Sequence, residues 1–485
     1  MKSQKRLNVF NITILLIIIG LFQSLNAQLK RDKIDSLVSY YNENGMFNGS
    51  ILIAEKSDIV LNKSYGFSDL KTKKELTLNT PSNIGSVSKQ FTAMGIMILF
   101  EQGKLSLNDK LFKYFPQIIN SNSITIKQLL NHTSGLPRLN TTLEGVYNME
   151  GALNYFESID SVLFMPGEAF SYSNVGYILL AMIIEKISGQ SYSDFMTQNI
   201  FRPLKMNNTW ICNESNYFNK YRAKGFDQYG EIYDDSSFIY GQGGIYSTVN
   251  DLFKWDQCLY SEELISNESL KEVFSPGKLN DGSPSRKAEE SPWGYGFGWL
   301  LRKNDLENIV WHDGGINGFS SIFYRDLNKK RCIVILSNMG EMGSNAPVYS
   351  IHKAILKILD GQQVEFPKIP ISVKIKNMID QKGIDFAIVQ YNTLKTNFPA
   401  KYDFSERQLN QLGYFYLNKN RYKEAIPIFK LNTEVFPNSA NVYDSLGEAY
   451  MVNGQKDLAI KNYKKSLELN SGNENAKEML RLLNN

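Results

Sequence analysis

A serine and a lysine three residues apart, Ser86-Val-Ser-Lys89, stand immediately before the apolar run Gln-Phe-Thr-Ala-Met-Gly-Ile-Met-Ile-Leu-Phe at residues 90–100. That run is apolar all round and long enough for a buried helix, which sets Ser86 at its start and Lys89 one turn on, on the same face. A serine hydroxyl is a weak nucleophile until a base takes its proton. A lysine at the wall of an apolar core is desolvated, which disfavours its charge and suits it to be that base. Ser-x-x-Lys also begins at Ser68, Ser275 and Ser350, so spacing alone does not choose among the copies; the apolar run does. Two further motifs follow in order, Tyr172-Ser-Asn174 and His312-Asp-Gly314. Tyr-x-Asn recurs at Tyr40, Tyr217 and Tyr416, whereas His-x-Gly occurs once.

This ordered trio, with His132-Thr-Ser-Gly-Leu-Pro137, the stretch 166–177 and the stretch 241–248, resembles the serine β-lactamase and penicillin-binding-protein superfamily, in the branch of class C β-lactamases, esterases and D-peptidases. The similarity covers roughly residues 30 to 360. It implies an acyl-enzyme mechanism with Ser86 as nucleophile, Lys89 and Tyr172 sharing proton transfer, and Asn174 bonding the substrate amide or ester. It further implies that His312 and Gly314 lie on a strand lining the cleft. There the N–H of Gly315 would pair with that of Ser86 as the oxyanion hole, and a glycine at 315 would permit the close approach.

One departure bears on substrate. Where β-lactamases of this branch carry Lys-Thr-Gly, this chain has His312-Asp313-Gly314, a mostly neutral imidazole and a carboxylate. Asp313, facing the cleft, would repel a substrate carboxylate, and His312 near the usual pKa of about 6.5 would attract one only weakly. A short-chain ester or D-peptide-like substrate therefore fits better than β-lactams or peptidoglycan peptides, the substrates of a β-lactamase or D-alanyl-D-alanine carboxypeptidase. A reading of another class is a silent scaffold working through its C-terminal repeats.

The remaining histidines and cysteines offer no metal spacing, so neither cofactor nor metal is expected. His132, before a Thr-Ser-Gly-Leu-Pro turn, reads as a structural histidine bonding backbone. Residues 1–27 read as a signal peptide: Lys2, Lys5 and Arg6, a short apolar stretch over 12–22, and Ala27 at the cleavage point. The stretch falls short of the roughly 18 apolar residues of a secure span, so the expected product is periplasmic or secreted, without stable membrane insertion. Removing three of its cations lowers the formal net charge from +4 to +1, which gives no footing for nucleic acid.

Leu412-Gly413, Tyr416, Ala425 and Phe429 recur as Leu446-Gly447, Tyr450, Ala459 and Tyr463, each displaced by 34 residues. That period and order resemble the tetratricopeptide repeat, whose groove commonly takes a peptide or protein partner. Ala387, Tyr391 and Pro399 match the second half of a degenerate unit over about 370–403, and a final helix near 474–483 would cap the stack. Apolar runs at 49–55, 58–65, 309–312, 320–324 and 332–336 read as strands. The expected fold class is α+β: an antiparallel sheet between helices with a helical subdomain, followed by an all-α repeat module. The expected boundaries are 28–360 for the hydrolase, 361–370 for a linker and 371–485 for the repeats.

Overall fold

The computed structural model describes residues 27–139, 148–213, 221–233, 238–286, 291–304, 306–340 and 346–484. The expected signal peptide lies outside them, save Ala27. The chain divides into two compact units, one running to Glu43 and from Phe47 to Val364, the other comprising Asn44–Met46 and Glu365–Asn485.

The first unit is built on a seven-stranded antiparallel sheet. Its strands are β1 (Gly49–Glu55), β2 (Asp58–Tyr65), β3 (Gly294–Tyr295), β4 (Leu300–Lys303), β5 (Asn308–Ile316), β6 (Phe319–Asp326) and β7 (Arg331–Ser337), in spatial order β3-β4-β5-β6-β7-β1-β2. Early and late strands meet where β1 pairs with β7, Ile51 opposite Ile335 and Ile53 opposite Ile333. Both are continuous apolar runs, buried along nearly their whole length. β2, at the edge, is less buried, with only Leu61 and Tyr65 fully covered.

Helix α1 (Ser88–Glu101) is buried from Ser88 to Leu99, so the all-round apolar run is satisfied by neighbours on every side. Of Ile126–Leu130 (α2), Asn174–Ser188 (α3) and Val249–Cys258 (α4), α3 is the chief helical partner of α1. Gly95 lets them close: a Cβ there would stand 2.8 Å from Ile184 Cδ1. On α4, Trp255 packs its ring 4.5 Å from Phe91 and donates to Gln90 Oε1 at 3.0 Å. Fully burying side chains such as Phe91, Ile96 and Leu99 contributes about 1.5–3 kcal/mol apiece. α5 (Pro347–Leu359) packs on β6 and β7.

The second unit is helical: α6 (Ile371–Lys382), α7 (Ile384–Asn397), α8 (Glu406–Leu417), α9 (Tyr422–Val435), α10 (Ala440–Val452), α11 (Lys456–Leu469) and α12 (Glu474–Asn484). The 34-residue period has a packing cause. A Cβ on Gly413 would lie 2.5 Å from the Phe429 ring, and one on Gly447 would lie 3.0 Å from the Tyr463 ring. Each glycine thus admits the aromatic ring of the following helix. The same period recurs in hydrogen bonds, Asn432 Nδ2 donating to Glu406 O at 3.2 Å and Ser466 Oγ to Ala440 O at 2.9 Å. Tyr414 links the two repeats by donating to Glu448 Oε2 at 2.6 Å. Upstream, α6 supplies the first half of the degenerate unit through Ile371, Ile375 and Ile379, all buried against their neighbours. The last residues of the expected linker, Ile369 and Pro370, form a short parallel bridge with Tyr402 and Asp403.

Candidate active site

Ser86 sits in a single 3₁₀ turn, Gly85–Val87, immediately ahead of α1. The turn is held from both ends: Asn83 Oδ1 accepts the Gly85 N–H at 2.9 Å, and Ser321 Oγ on β6 donates to Ile84 O at 2.8 Å. Gly85 has φ +51°, the left-handed region that favours glycine, and a Cβ on it would lie 2.9 Å from the Gly315 nitrogen. Strand β5 therefore lies directly against the turn. The residue that permits this is Gly314, whose Cβ would stand 2.2 Å from Ile84 O and 2.4 Å from Ser321 Oγ. Gly315, next along the strand, places its backbone nitrogen beside the same turn.

Lys89 is wholly buried, with Nζ 3.1 Å from Ser86 Oγ and donating to Gln242 O at 2.7 Å. Lys71, Lys278 and Lys353, the lysines of the other Ser-x-x-Lys copies, are exposed. Burial holds the Lys89 pKa well below the ordinary lysine value, opposed by Asp313 and aided by Arg138. An uncharged amine that keeps one N–H on Gln242 O can turn its lone pair toward the Ser86 hydroxyl, which is what a base for that proton requires.

Tyr172 lies under Lys89, with Nζ 4.9 Å from the ring centroid, and the Ser86 hydroxyl is near enough to its phenol to act on its pKa. Burial raises the Tyr172 pKa above the ordinary tyrosine value, the Ser86 hydroxyl opposing, so the phenol remains protonated at neutral pH. Ser173 caps α3 by accepting from Gly176, and Asn174 opens that helix with a buried Oδ1 bonded to no described residue.

His312 departs from the expected near-neutral titration. Its Nδ1 lies 2.6 Å from Asp313 O and its Nε2 3.0 Å from Tyr295 Oη. Burial pushes its pKa down to about 4, with Asp313 opposing and Lys89 assisting, so the ring is neutral across the physiological range. Asp313 does not stand free in the cleft, as the repulsion argument required: Tyr349 on α5 donates to its carboxylate. Its charge is still felt at Lys89, Tyr172 and His312.

Three side chains at the site were missed as participants. Tyr295 anchors His312, and only the run Gly-Tyr-Gly-Phe-Gly over 294–298 marked it. Arg138, exposed, stands 5.7 Å from the Tyr172 ring. His132 bonds backbone, as expected, its Nδ1 accepting the Ser173 N–H at 3.1 Å, but its ring also lies 4.3 Å from that of Tyr172. Among the described residues no group of His, Cys, Asp and Glu is disposed to hold a metal, and Cys212, Cys258 and Cys332 are buried and form no disulfide.

All three histidines are buried with lowered pKa values, His352 also to about 4. A group whose folded pKa lies below its unfolded value of 6.5 binds its proton more readily when unfolded, so stability falls as pH drops from 6.5 toward 4. Tm is expected to fall through that window, and His352→Gln to make the fall shallower; an unchanged slope in scanning calorimetry would contradict this account of His352.

The Beta-lactamase family model matches residues 32–353, and the Tetratricopeptide repeat model matches 409–438 and 440–473. The chain is 34% identical over 398 residues to penicillin-binding protein 4* of Bacillus subtilis (strain 168), covering 74% of this chain and 82% of that one. The octameric penicillin-binding protein homologue from Pyrococcus abyssi superposes with TM-score 0.61 at 27% identity, over 72% of this chain and 81% of that one. The D-amino acid amidase from Ochrobactrum anthropi SV3 has the same fold, with TM-score 0.59 at 23% identity, over 68% of this chain and 98% of that one. With the family model spanning two thirds of its length and Ser86 paired with a buried Lys89, this chain belongs to the β-lactamase and penicillin-binding-protein family of serine hydrolases and carries tetratricopeptide repeats behind the hydrolase domain.

Proposed function

We propose that the protein is an exported hydrolase that cleaves a neutral ester or D-peptide-like amide through an acyl-enzyme on Ser86. The observation that carries the reading is the 3.1 Å separation of Ser86 Oγ from a wholly buried Lys89 whose pKa is lowered by that burial. In the acylation step Ser86 Oγ bonds to the substrate carbonyl carbon while its proton passes to Lys89. The N–H groups of Ser86 and Gly315 take up the oxyanion, Asn174 bonds the acyl portion, and Tyr172 hands a proton to the leaving oxygen or nitrogen as the C–O or C–N bond breaks, then takes back the proton held by Lys89 so that both groups are restored. Water then repeats the sequence to release the acid. That a D-amino acid amidase shares the fold is consistent with a D-amino-acid amide as substrate. Labelling by a fluorophosphonate probe tests the reading; a folded protein that takes no label would reject it in favour of a silent scaffold.

Substrate charge supplies a sharper test. A neutral His312 backed by Asp313 offers no cation on β5 to a substrate carboxylate. p-Nitrophenyl acetate or a neutral D-amino-acid amide should be turned over at least about 10-fold faster than a cephalosporin, the loss of one charge-assisted bond being of that order. His312→Lys with Asp313→Thr should narrow the gap. Equal turnover of cephalosporin and ester by the unmodified enzyme would defeat the electrostatic argument.

We further propose that the repeats take a peptide or protein partner and are not needed for chemistry, since Ser86, Lys89, Tyr172, Asn174, His312 and Gly315 all belong to the first unit. Truncation after Gly361 should leave kcat for the ester within about 3-fold of the full chain, as expected when a separable domain is removed. A soluble but inactive truncated protein would show that the repeats complete the catalytic fold.

A further inference from the structure

His132 stands just past α2 with φ +61°, an unusual conformation for a residue other than glycine. Its two polar backbone-directed bonds reach the residues on either side of Tyr172. The carbonyl oxygen accepts the Ser171 N–H at 3.0 Å, and Nδ1 accepts the Ser173 N–H at 3.1 Å. Between these two grips the imidazole lies against the Tyr172 ring, centroids 4.3 Å apart and planes at 40°. Its ring also meets that of Tyr295 at 4.5 Å, whose hydroxyl holds His312 Nε2 at 3.0 Å. Because Nδ1 accepts, the neutral ring carries its proton on Nε2, and that nitrogen is buried with no hydrogen-bond partner among the described residues. A histidine placed only to fill space or to cap a turn would not need an unpaired buried nitrogen, a cost of about 1–3 kcal/mol.

We propose that His132 is a positioning residue for Tyr172. It fixes the backbone on both sides of the tyrosine and one face of its ring, so that the phenol points to the Ser86 hydroxyl. The inference rests on the serine hydrolase reading above and adds a residue that neither touches substrate nor exchanges its proton. Its neutrality matters: Lys89, His312 and Arg138 all face it, and burial among them disfavours a further positive charge. Through Tyr295 the same ring couples the α3 side of the cleft to β5, so that Tyr172 and His312 keep a common reference.

The test compares the full-length chain with His132→Asn, Tyr172→Phe and the double variant. Asparagine places an acceptor where Nδ1 stood and tolerates positive φ, while removing the ring that braces Tyr172. His132→Asn should lower kcat for p-nitrophenyl acetate, and the rate of fluorophosphonate labelling measured by intact mass, by about 10-fold or more, with KM changed by less than about 3-fold. In the Tyr172→Phe background the same substitution should cost less than about 2-fold, because the group being positioned is gone. A folded His132→Asn protein with wild-type kcat, or an undiminished further loss in the Tyr172→Phe background, would overturn the proposal. Should His132→Asn not fold at the assay temperature, His132→Phe, which keeps a ring and removes the acceptor, is judged by the same two comparisons. A wild-type protein that neither labels nor hydrolyses ester would reject the hydrolase reading and this inference with it, whereas an active wild type matched by its variants rejects the positioning role alone.

Discussion

Ser86→Ala should lose fluorophosphonate labelling altogether and lower ester hydrolysis by at least about 10⁴-fold, the scale on which removal of a serine nucleophile is felt. The effect is large because no other hydroxyl can replace it. Ser88 is wholly buried, with its Oγ turned to the Ile245 N–H, and Tyr172 is held protonated by burial. The fold should survive. The side chain is half-buried at a helix start, its removal deletes one oxygen and leaves no large cavity, and Ile84, Gly85 and Val87 keep their own bonds to β6, Asn83 and the turn. Intact-mass labelling and circular dichroism on the same sample separate the two effects. Equal labelling of wild type and variant would sink the assignment of Ser86.

Lys89→Met should reduce kcat/KM by about 10²–10⁴-fold, the usual contribution of a positioned base. The pH profile carries the more specific signature. Lys89 acts when neutral, and its pKa is held well below 10.5, so activity in the wild type should be lost as pH falls through that lowered value, and the residual activity of the variant should lack this limb. The same shift bears on stability with a determined sign. A lysine whose folded pKa is lowered binds its proton more readily in the unfolded chain, so its burial costs stability at every pH below 10.5 and the cost levels off only below the folded pKa. Methionine removes that cost at the expense of the bond to Gln242 O, so the melting temperature of Lys89→Met at neutral pH should be maintained or raised while activity collapses. A variant that both unfolds and loses activity would point to a structural lysine.

The parts of this protein legible from its amino acids are those set by neighbours along the chain. Ser86 and Lys89 share a helix face because they are three apart, and the run after them had to be buried because it has no polar face. The repeats announced themselves because each glycine and the ring it admits, Gly413 with Phe429 and Gly447 with Tyr463, recur at a constant offset. Strands β1, β2, β5, β6 and β7 were visible as short runs of branched and aromatic residues between turns. Helix α6 was not, because the isoleucines it buries carry no repeat signature and its partner α7 alone preserves the Ala-x-x-x-Tyr spacing.

What only the tertiary structure decided is the environment of each group, which depends on residues far away in the chain. That Gly314 has no room for a Cβ follows from where Ile84 and Ser321 lie. That His312 is neutral follows from burial and from Lys89, and its Nε2 is held by Tyr295, seventeen positions earlier, while Asp313 is occupied by Tyr349, thirty-six positions on. His132 illustrates the division most clearly. Its place before a turn is enough to predict a bond to backbone, but that the backbone belongs to the flanks of Tyr172 is a product of folding, because a hydrogen bond spanning 41 residues leaves no periodicity in the sequence.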